Sequence, residues 1–438
     1  MAIISQRSLF SWQEIENLAD LERLSLLLRH LPDETLMRQL ESQRGRGRND
    51  YPIRAIWNSV LAGIVYQHPS IESLRRELMR NAQLRQVCGF ALCKGIAAVP
   101  SPNAYTNFLT LLMGQMECVD VLFYDLVDRL KTVLPNFGKV LAIDSKAIHS
   151  RGCKDSQHAR PDGRSETDAD KGVKTYKGKR KDGSLWESVK SWFGFKLHLI
   201  VDAEDDLPVD YCVTKASASD ITIGREMIDN LAEHRPEVLE NADYLLGDKG
   251  YDDTVLITTL WERHGIKPII DIRDQWKIDG ARLVAGQTNV SHDYKGTVFC
   301  HCPVTWEKRA MAFGGFEQTR NTLKYRCPAK HYGLDCQGRD RCCISDSLRI
   351  AIQSNPRIFT PLARSSYKWK NLYKKRSSVE RVNGRLDESF GFEKHFIRGQ
   401  KKMKLRCGLA LIVMLAMAYG RVKEKQPDKI RSLVQPAA

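Results

Sequence analysis

Apolar residues at helical spacing dominate the first 135 residues of the chain. One run of leucines lies three or four positions apart, at Leu21, Leu24, Leu27 and Leu28. Such spacing places the side chains on one face of a helix. Pro69 and Ser70 then predict a helix boundary with a serine cap. We therefore predict an all-α N-terminal domain over residues 1–135.

The pattern changes after residue 138 to short apolar runs that are typical of strands. Strands are predicted near 140–144, 192–201, 209–214, 244–247 and 267–272, with helices at 221–234 and 254–264. Three antiparallel strands followed by helix, strand, helix and strand predict a mixed five-stranded α/β sheet with flanking helices. The polar segment 149–190 has no apolar period and predicts a loop or an extended hairpin. We assign residues 136–273 to the first part of this core.

A cysteine-rich insertion is predicted over residues 274–356, which hold half of the twelve cysteines. Thiolates that are separated by short turns can converge on one tetrahedral zinc ion. The candidate ligands are Cys300, Cys302, Cys327, Cys336 and Cys342. Buried structural thiols in a small insertion would explain the same pattern, and both interpretations stay open.

The core resumes in a helical C-terminal part over residues 357–425. Its apolar run, 407–419, is too short to span a bilayer and predicts a buried helix, so we expect no membrane partner. The first residues lack the basic start and apolar centre of a secretory signal. Without export, the cysteines are expected to be thiols or metal ligands rather than disulfides.

The charge balance indicates a polyanionic partner. The chain carries 68 Lys and Arg against 53 Asp and Glu, a net charge of +15. The excess lies in two windows: 364–406 has 14 basic against 4 acidic residues, and 146–196 has 13 against 7. Arg75 and Arg76 lie on a helix that could meet DNA as part of a helix-turn-helix, although a bundle helix with a wet basic face explains them equally well.

Two aspartates each follow a predicted buried strand. Asp144 ends the apolar run in LAIDS, and Asp248 follows Tyr244–Gly247 in DYLLGDKGY. Two carboxylates that emerge side by side from buried strands repel each other unless a cation lies between them, and a divalent metal would serve. The ordinary alternative is that each is a turn or helix-cap residue.

A third acid lies in YKKRSSVERVNGR, where Glu380 follows Tyr373 and Arg376. A serine can cap a helix that carries Glu380 in its first turn. The simplest interpretation of Arg376 and Glu380, four positions apart, is a surface ion pair. Together, however, LAIDS, YLLGDKGYDD and Y-x2-R-x3-E resemble the DDE transposases of bacterial insertion sequences, in the branch with a Tyr-Arg-Glu-Lys signature. The family's lysine falls here on Asp387, and Arg381, Arg385 or Lys394 could replace it.

This resemblance implies a ribonuclease H-like core with Asp144, Asp248 and Glu380 as a carboxylate triad for two magnesium or manganese ions. It also implies that Tyr373 and Arg376 hold the phosphate near the cut. The further DNA-contact candidates are Arg381, Arg385, Lys249, Tyr251, Trp369, Arg75 and Arg76. Carboxylates suit Mg²⁺, and two such ions suit in-line phosphoryl displacement.

The expected function is DNA transposition: binding of terminal inverted repeats, cleavage of the ends and joining of the 3′-hydroxyls to target DNA. Expected partners are double-stranded DNA and a second copy of the chain, in the nucleoid of a bacterial cytoplasm. Three alternatives stay open: a nuclease of the same fold without strand transfer, a catalytically inactive DNA-binding descendant, and a zinc-dependent binding module.

Overall fold

The computed structural model describes residues 19–44, 50–152, 166–180, 182, 184–276, 280–344 and 346–432. Its first part is helical, as the apolar spacing predicts. The helices are Ala19–His30 (α1), Glu34–Gln43 (α2), Ile53–Val65 (α3), Ile71–Arg80 (α4), Ala82–Cys88 (α5), Pro102–Met113 (α6) and Met116–Val133 (α7). Ser70 caps α4 by accepting a hydrogen bond from the Ser73 amide, which confirms the predicted boundary.

The centre of the molecule is a mixed sheet. Its strands are Val140–His149 (β1), Asp170–Lys179 (β2), Leu185–Asp202 (β3), Leu207–Lys215 (β4), Tyr244–Gly247 (β5) and Lys267–Ile270 (β6). The order is β2-β3-β1-β5-β6, with β4 also paired to β3. β1 is antiparallel to β3 and parallel to β5, and β5 is parallel to β6. The predicted mixed α/β architecture is confirmed.

The sheet has six strands in the described residues, so the predicted number of five is wrong. The additional strand is β2, which pairs antiparallel with the first half of β3 and makes an extended hairpin. The spacing of apolar residues does not predict β2, because this strand is polar and carries lysines on both faces. In the hairpin Trp192 lies over Gly172 and Trp186 over Gly178, positions where any Cβ would collide with the indole rings.

Helices cover the sheet. They are Asp220–His234 (α8), Pro236–Asn241 (α9), Thr254–Thr258 (α10), Tyr367–Lys374 (α12), Ser378–Phe390 (α13) and Gln400–Lys423 (α14), with α11 in the insertion described below. One apolar cluster runs from the N-terminal helices through the sheet to α14. Among the described residues, α14 alone is long and apolar enough to cross a membrane, but 83% of its apolar window is buried inside the protein. It is the central core helix, as predicted.

A second, smaller apolar cluster lies between Ile272 and Ala363. The region around this cluster contains two small antiparallel sheets and one short α-helix. The elements are Arg282–Leu283 (β7), Val290–His292 (β8), Val298–His301 (β9), Lys308–Ala310 (β10), Ala312–Glu317 (β11), Thr322–Arg326 (β12), Pro328–Tyr332 (α11) and Ser347–Ala351 (β13). Arg357 joins this region to the loop after β5 through a 2.6 Å ion pair with the fully buried carboxylate of Asp252.

Candidate active site

Neighbouring parallel strands bring Asp144 and Asp248 together. Ile143 of β1 pairs with Gly247 of β5, so each aspartate is the next residue along its own strand. Paired strands lie about 4.8 Å apart, and residues at matching positions share a face of the sheet. Asp248 keeps an extended backbone. The two carboxylates therefore lie side by side in the middle of the sheet, Asp144 within β1 and Asp248 directly after β5.

The pKa of Asp144 shows how costly this arrangement is. Burial, and then the charge of Asp248, raise the pKa of Asp144 from 3.8 to about 6. The Ser145 amide, which donates to Asp144 Oδ1 at 2.7 Å, opposes the shift. The charges of Lys174 and Arg376 oppose it as well. A cation between the two carboxylates would favour the ionised form of both.

The loop after β5 holds the second carboxylate in place. Asp248 Oδ1 accepts a 2.6 Å hydrogen bond from the Gly250 amide and caps a short 3₁₀ turn, Lys249–Tyr251. A Cβ on Gly250 would lie only 2.6 Å from the same oxygen, so this position accepts glycine alone without displacing the carboxylate. Tyr251 is buried beside Asp144 and Asp248. Its hydroxyl has no hydrogen-bond partner within the described part of the chain.

Arg376 connects the first acid to the third. Its Nη1 lies 3.5 Å from Asp144 Oδ2 and its Nη2 lies 3.0 Å from Glu380 Oε1. Glu380 is in the first turn of α13, as predicted, with 58% of its side chain exposed. The predicted serine cap is wrong: Ser377 precedes the helix, but its hydroxyl donates to the Lys374 carbonyl at 3.1 Å and makes no capping hydrogen bond. The positive charge of the Arg376 guanidinium therefore offsets part of the negative charge of the two carboxylates. Asp144 and Glu380 are both within reach of one guanidinium, although they are 236 positions apart in the chain.

An aromatic stack supports Arg376. Its guanidinium lies 5.9 Å from the ring centroid of Tyr373, and Tyr373 stacks on Trp369 at 4.7 Å with an interplanar angle of 12°. Trp369 is buried and Tyr373 half-buried. Because the rings are packed, the arginine has a rigid platform from which its planar fork could meet a phosphate.

The position where the related family carries a lysine is occupied by Asp387, and a lysine reaches it from β1. Lys146 forms an ion pair with Asp387 and lies 3.6 Å from Glu393. It is two positions after Asp144 on the strand, hence on the same face. Sequence reasoning missed Lys146, although the alternation along β1 would have placed it beside Asp144.

Arg381 and Arg385 connect α13 by hydrogen bonds to the turn between β3 and β4. Arg381 makes a bidentate contact with Asp206, at 2.8 and 2.7 Å, and also donates to Ser377 Oγ at 2.7 Å. Arg385 donates to the Asp206 carbonyl, and burial lowers its pKa to about 10. Both arginines already have intramolecular partners, so their predicted contact with DNA would require these bonds to open.

The other DNA-contact candidates lie in different environments. Lys249 is exposed directly after Asp248. Arg75 donates to the Pro100 carbonyl and to Glu72, both at 2.8 Å, and Arg76 donates to the Glu72 carbonyl at 3.4 Å. Both arginines belong to α4 of the helical region, and no contact joins either of them to the acids in the described residues.

The donor set near Asp144 suits a hard divalent cation. It consists of carboxylate oxygens, with the buried Tyr251 hydroxyl beside them. Within the described ranges, no three His, Cys, Asp or Glu side chains stand close enough to hold a metal ion already. Glu380 would have to leave Arg376 to join the aspartates. The pair Asp144 and Asp248 fits such an ion, and Glu380 is linked to Asp144 through Arg376.

A family comparison decides the identity of this domain. Residues 135–416 match the family model described as the transposase DDE domain. The chain belongs to that family. The match spans the sheet, the cysteine-rich region and the helices that carry Arg376 and Glu380, so the transposase domain extends over nearly all of the chain after α7.

The other comparisons add little to this assignment. A cryo-EM structure of the piggyBac transposase synaptic complex with hairpin DNA is similar at 10% identity and a TM-score of 0.29. The similarity covers 96% of this chain and 86% of that one. No curated protein is significantly similar in sequence.

Proposed function

We propose that this transposase binds the terminal inverted repeats of a bacterial insertion sequence, cleaves the ends by metal-dependent hydrolysis and joins the 3′-hydroxyls to target DNA. The observation that carries the proposal is the adjacency of Asp144 and Asp248 on neighbouring parallel strands. The Asp248 charge helps to raise the pKa of Asp144, as expected for two carboxylates that lie side by side. The family match supports the same conclusion. A ribonuclease H-like description of the core and membership of the Tyr-Arg-Glu-Lys branch are part of this proposal.

Asp144, Asp248 and Glu380 would hold two magnesium or manganese ions. Bound there, such ions would activate the attacking oxygen and stabilise the leaving one. The carboxylates supply the negative charge that attracts the ions, and the Gly250 amide keeps Asp248 oriented toward them. The buried Tyr251 hydroxyl is a donor that remains available beside these acids, since it bonds to nothing else in the described chain.

Arg376 would bind the phosphate next to the cleaved bond. In the absence of DNA it contacts Asp144 and Glu380, and release from Glu380 would free both the guanidinium for phosphate and the carboxylate for a metal ion. The Tyr373 and Trp369 stack restricts where the guanidinium can move. Breaking the ion pair between Arg376 and Glu380 would therefore make the arginine available to the phosphate and the glutamate available to the metal ion.

DNA is the expected substrate because the basic residues lie around the acids. The window 364–406 forms α12, α13 and the start of α14, where Lys368, Lys370, Lys401 and Lys402 are exposed. Lys174, on the β2–β3 hairpin, lies close enough to lower the pKa of Asp144. Such a surface favours a phosphate backbone. We propose that two copies act together on paired ends, in the bacterial cytoplasm at the nucleoid.

The test uses the DNA that flanks the gene, read for a pair of inverted ends. The purified protein is incubated with a duplex carrying one such end, with and without Mg²⁺, and products are separated on denaturing gels. We expect cleaved and joined products from the wild type. Asp144→Ala should bind the end in a gel shift but produce neither product. Asp243→Asn is the matched control, because Asp243 is exposed directly before β5, the strand that leads to Asp248.

Each outcome decides between the candidate activities. Cleavage without joined products identifies a nuclease, and binding without cleavage by the wild type identifies an inactive descendant. Cleavage by pure Asp144→Ala removes the proposed site altogether. Size-exclusion chromatography of the protein with paired ends tests the second copy, since a complex with a single protein chain would contradict it.

A further inference from the structure

Five thiols of the insertion line one cavity. Cys300, Cys302, Cys327, Cys336 and Cys342 surround a space of about 220 Å³. They come from three places: Cys300 and Cys302 from the end of β9 and the turn after it, Cys327 from the residue before α11, and the last two from the segment leading to β13. All five are free thiols. The fold therefore gathers thiols that are up to 42 positions apart.

The turn after Cys302 closes against the cavity. The Trp306 amide donates to the Cys302 carbonyl at 2.8 Å, and the Cys302 amide donates to the Glu307 carbonyl at 3.0 Å. Pro303 and Thr305 of this turn also line the cavity. The turn therefore holds Cys302 at the cavity wall, where its thiolate could bind a metal ion.

A second turn follows Cys336, where the Arg339 amide donates to the Cys336 carbonyl at 3.2 Å and Gly338 lies between the two residues. A Cβ on Gly338 would lie 2.9 Å from the Cys302 sulfur, so the close approach of the two turns depends on this glycine. The two turns thus present their sulfurs to each other across the cavity.

The remaining thiols are near the same point. Cys300 interacts electrostatically with Cys327, Cys336 and Cys342. Arg309 also lines the cavity, interacts with Cys300 and Cys336, and is held by Glu307 at 2.6 Å. Four thiolates around one divalent ion leave a net charge of about −2. The guanidinium of Arg309 would offset part of that charge, as groups around metal ligands commonly do.

We propose that this cavity binds one structural Zn²⁺ through four of the five thiolates. Zinc is the expected ion because soft thiolate ligands in a tetrahedral arrangement select it over Mg²⁺ or Ca²⁺. In the described residues no three potential ligands are yet at metal-binding spacing, so the sulfurs move inward when the ion binds. The ion would tie the β7–β10 sheet to the β11–β13 sheet, whose shared apolar cluster is small.

The first experiment measures metal in the full-length wild-type protein, purified with a reductant and without chelator. Elemental analysis should find about one zinc per chain. After removal of zinc, Co²⁺ should bind and give the absorption bands of a tetrahedral thiolate site. A protein that contains no zinc and produces no such bands overturns the proposal, as does mass spectrometry that finds these cysteines paired in disulfides. Neither measurement requires a variant to fold.

The second experiment uses variants with a matched control. Cys300→Ser combined with Cys336→Ser leaves three of the five thiols, one fewer than a four-thiolate site needs, so this double variant should lose bound zinc and bind Co²⁺ at least about tenfold more weakly. Cys343→Ser is the control: Cys343 is exposed, does not line the cavity, and bonds to Asn289 at 2.8 Å. It should keep one zinc. Equal zinc content in the double variant and in Cys343→Ser would refute the site.

The zinc site is independent of the proposed DNA chemistry. Asp144→Ala should retain one zinc per chain, because Asp144 lies on the main sheet and not in the insertion. A wild-type protein that contains zinc but does not cleave DNA would support the zinc site and contradict the proposed function. A wild-type protein that cleaves DNA but contains no zinc would support the proposed function and contradict the zinc site.

Discussion

Replacing Asp144 with asparagine should stabilise the protein while abolishing its activity. Burial and the charge of Asp248 raise the pKa of Asp144 from 3.8 to about 6. Each tenfold change in an ionisation constant corresponds to about 1.4 kcal/mol, so ionising Asp144 costs the folded state about 3 kcal/mol at high pH. A neutral asparagine side chain at this position would avoid that cost, and its amide oxygen can still accept from Ser145. The opposing influence of Arg376 is already contained in the shifted pKa.

The sign of the pH dependence follows from the raised pKa. Above pH 6 Asp144 is ionised in both states and the full cost applies. As the pH falls from 6 to below 3.8, the folded carboxyl is protonated first and the cost disappears. Asp144→Asn should therefore exceed the wild type by about 3 kcal/mol at pH 8. The difference should fall below about 1 kcal/mol at pH 4.

Urea unfolding of the full-length protein, followed at both pH values without divalent metal, measures this difference. Asp229→Asn is the control, since Asp229 is exposed on α8 and should leave stability unchanged. Mg²⁺ should then stabilise the wild type at pH 8, because it binds the folded state, and should have much less effect on Asp144→Asn. A variant no more stable than the wild type at pH 8, or equally stabilised at both pH values, would refute the paired-carboxylate argument.

Two further substitutions test the groups around this pair. Gly250→Ala should reduce DNA cleavage strongly with little change in the free energy of unfolding, because its Cβ would displace the Asp248 carboxylate. Gly384→Ala, in open space on α13, should keep cleavage and raise the free energy of unfolding by about 0.5–1 kcal/mol. Equal activity of both would contradict this role for Gly250. Lys146→Met should lose about 1–3 kcal/mol in urea unfolding by leaving Asp387 without its cation, and adding Asp387→Leu should recover most of the loss. A double variant as unstable as the single one would exclude the ion pair as the cause.

Local sequence was sufficient for the elements and for the candidate acids. Helix and strand positions followed from apolar period, since side chains that must be buried recur every 3.6 or 2 residues. Asp144 and Asp248 could be singled out because each follows a run too apolar to be exposed. Glu380 was singled out only because Y-x2-R-x3-E resembles the motif of a known family. None of these predictions required knowledge of what lay across the sheet.

Pairing between distant segments could not be obtained in this way. The β2 strand has no apolar alternation, and only its partner β3 makes it a strand. Nothing local indicates that Arg381 and Arg385 are engaged by Asp206, since those contacts join positions about 175 to 179 apart.

What the sequence alone determined is therefore a mixed α/β core with acids directly after its apolar runs, because each apolar segment must be buried whatever its partners are. Tertiary structure alone decided which distant charges meet: Lys146 with Asp387, and Arg376 with Asp144. The energy of an ion pair depends on the distance between two side chains, and that distance is set by the packing of the whole sheet.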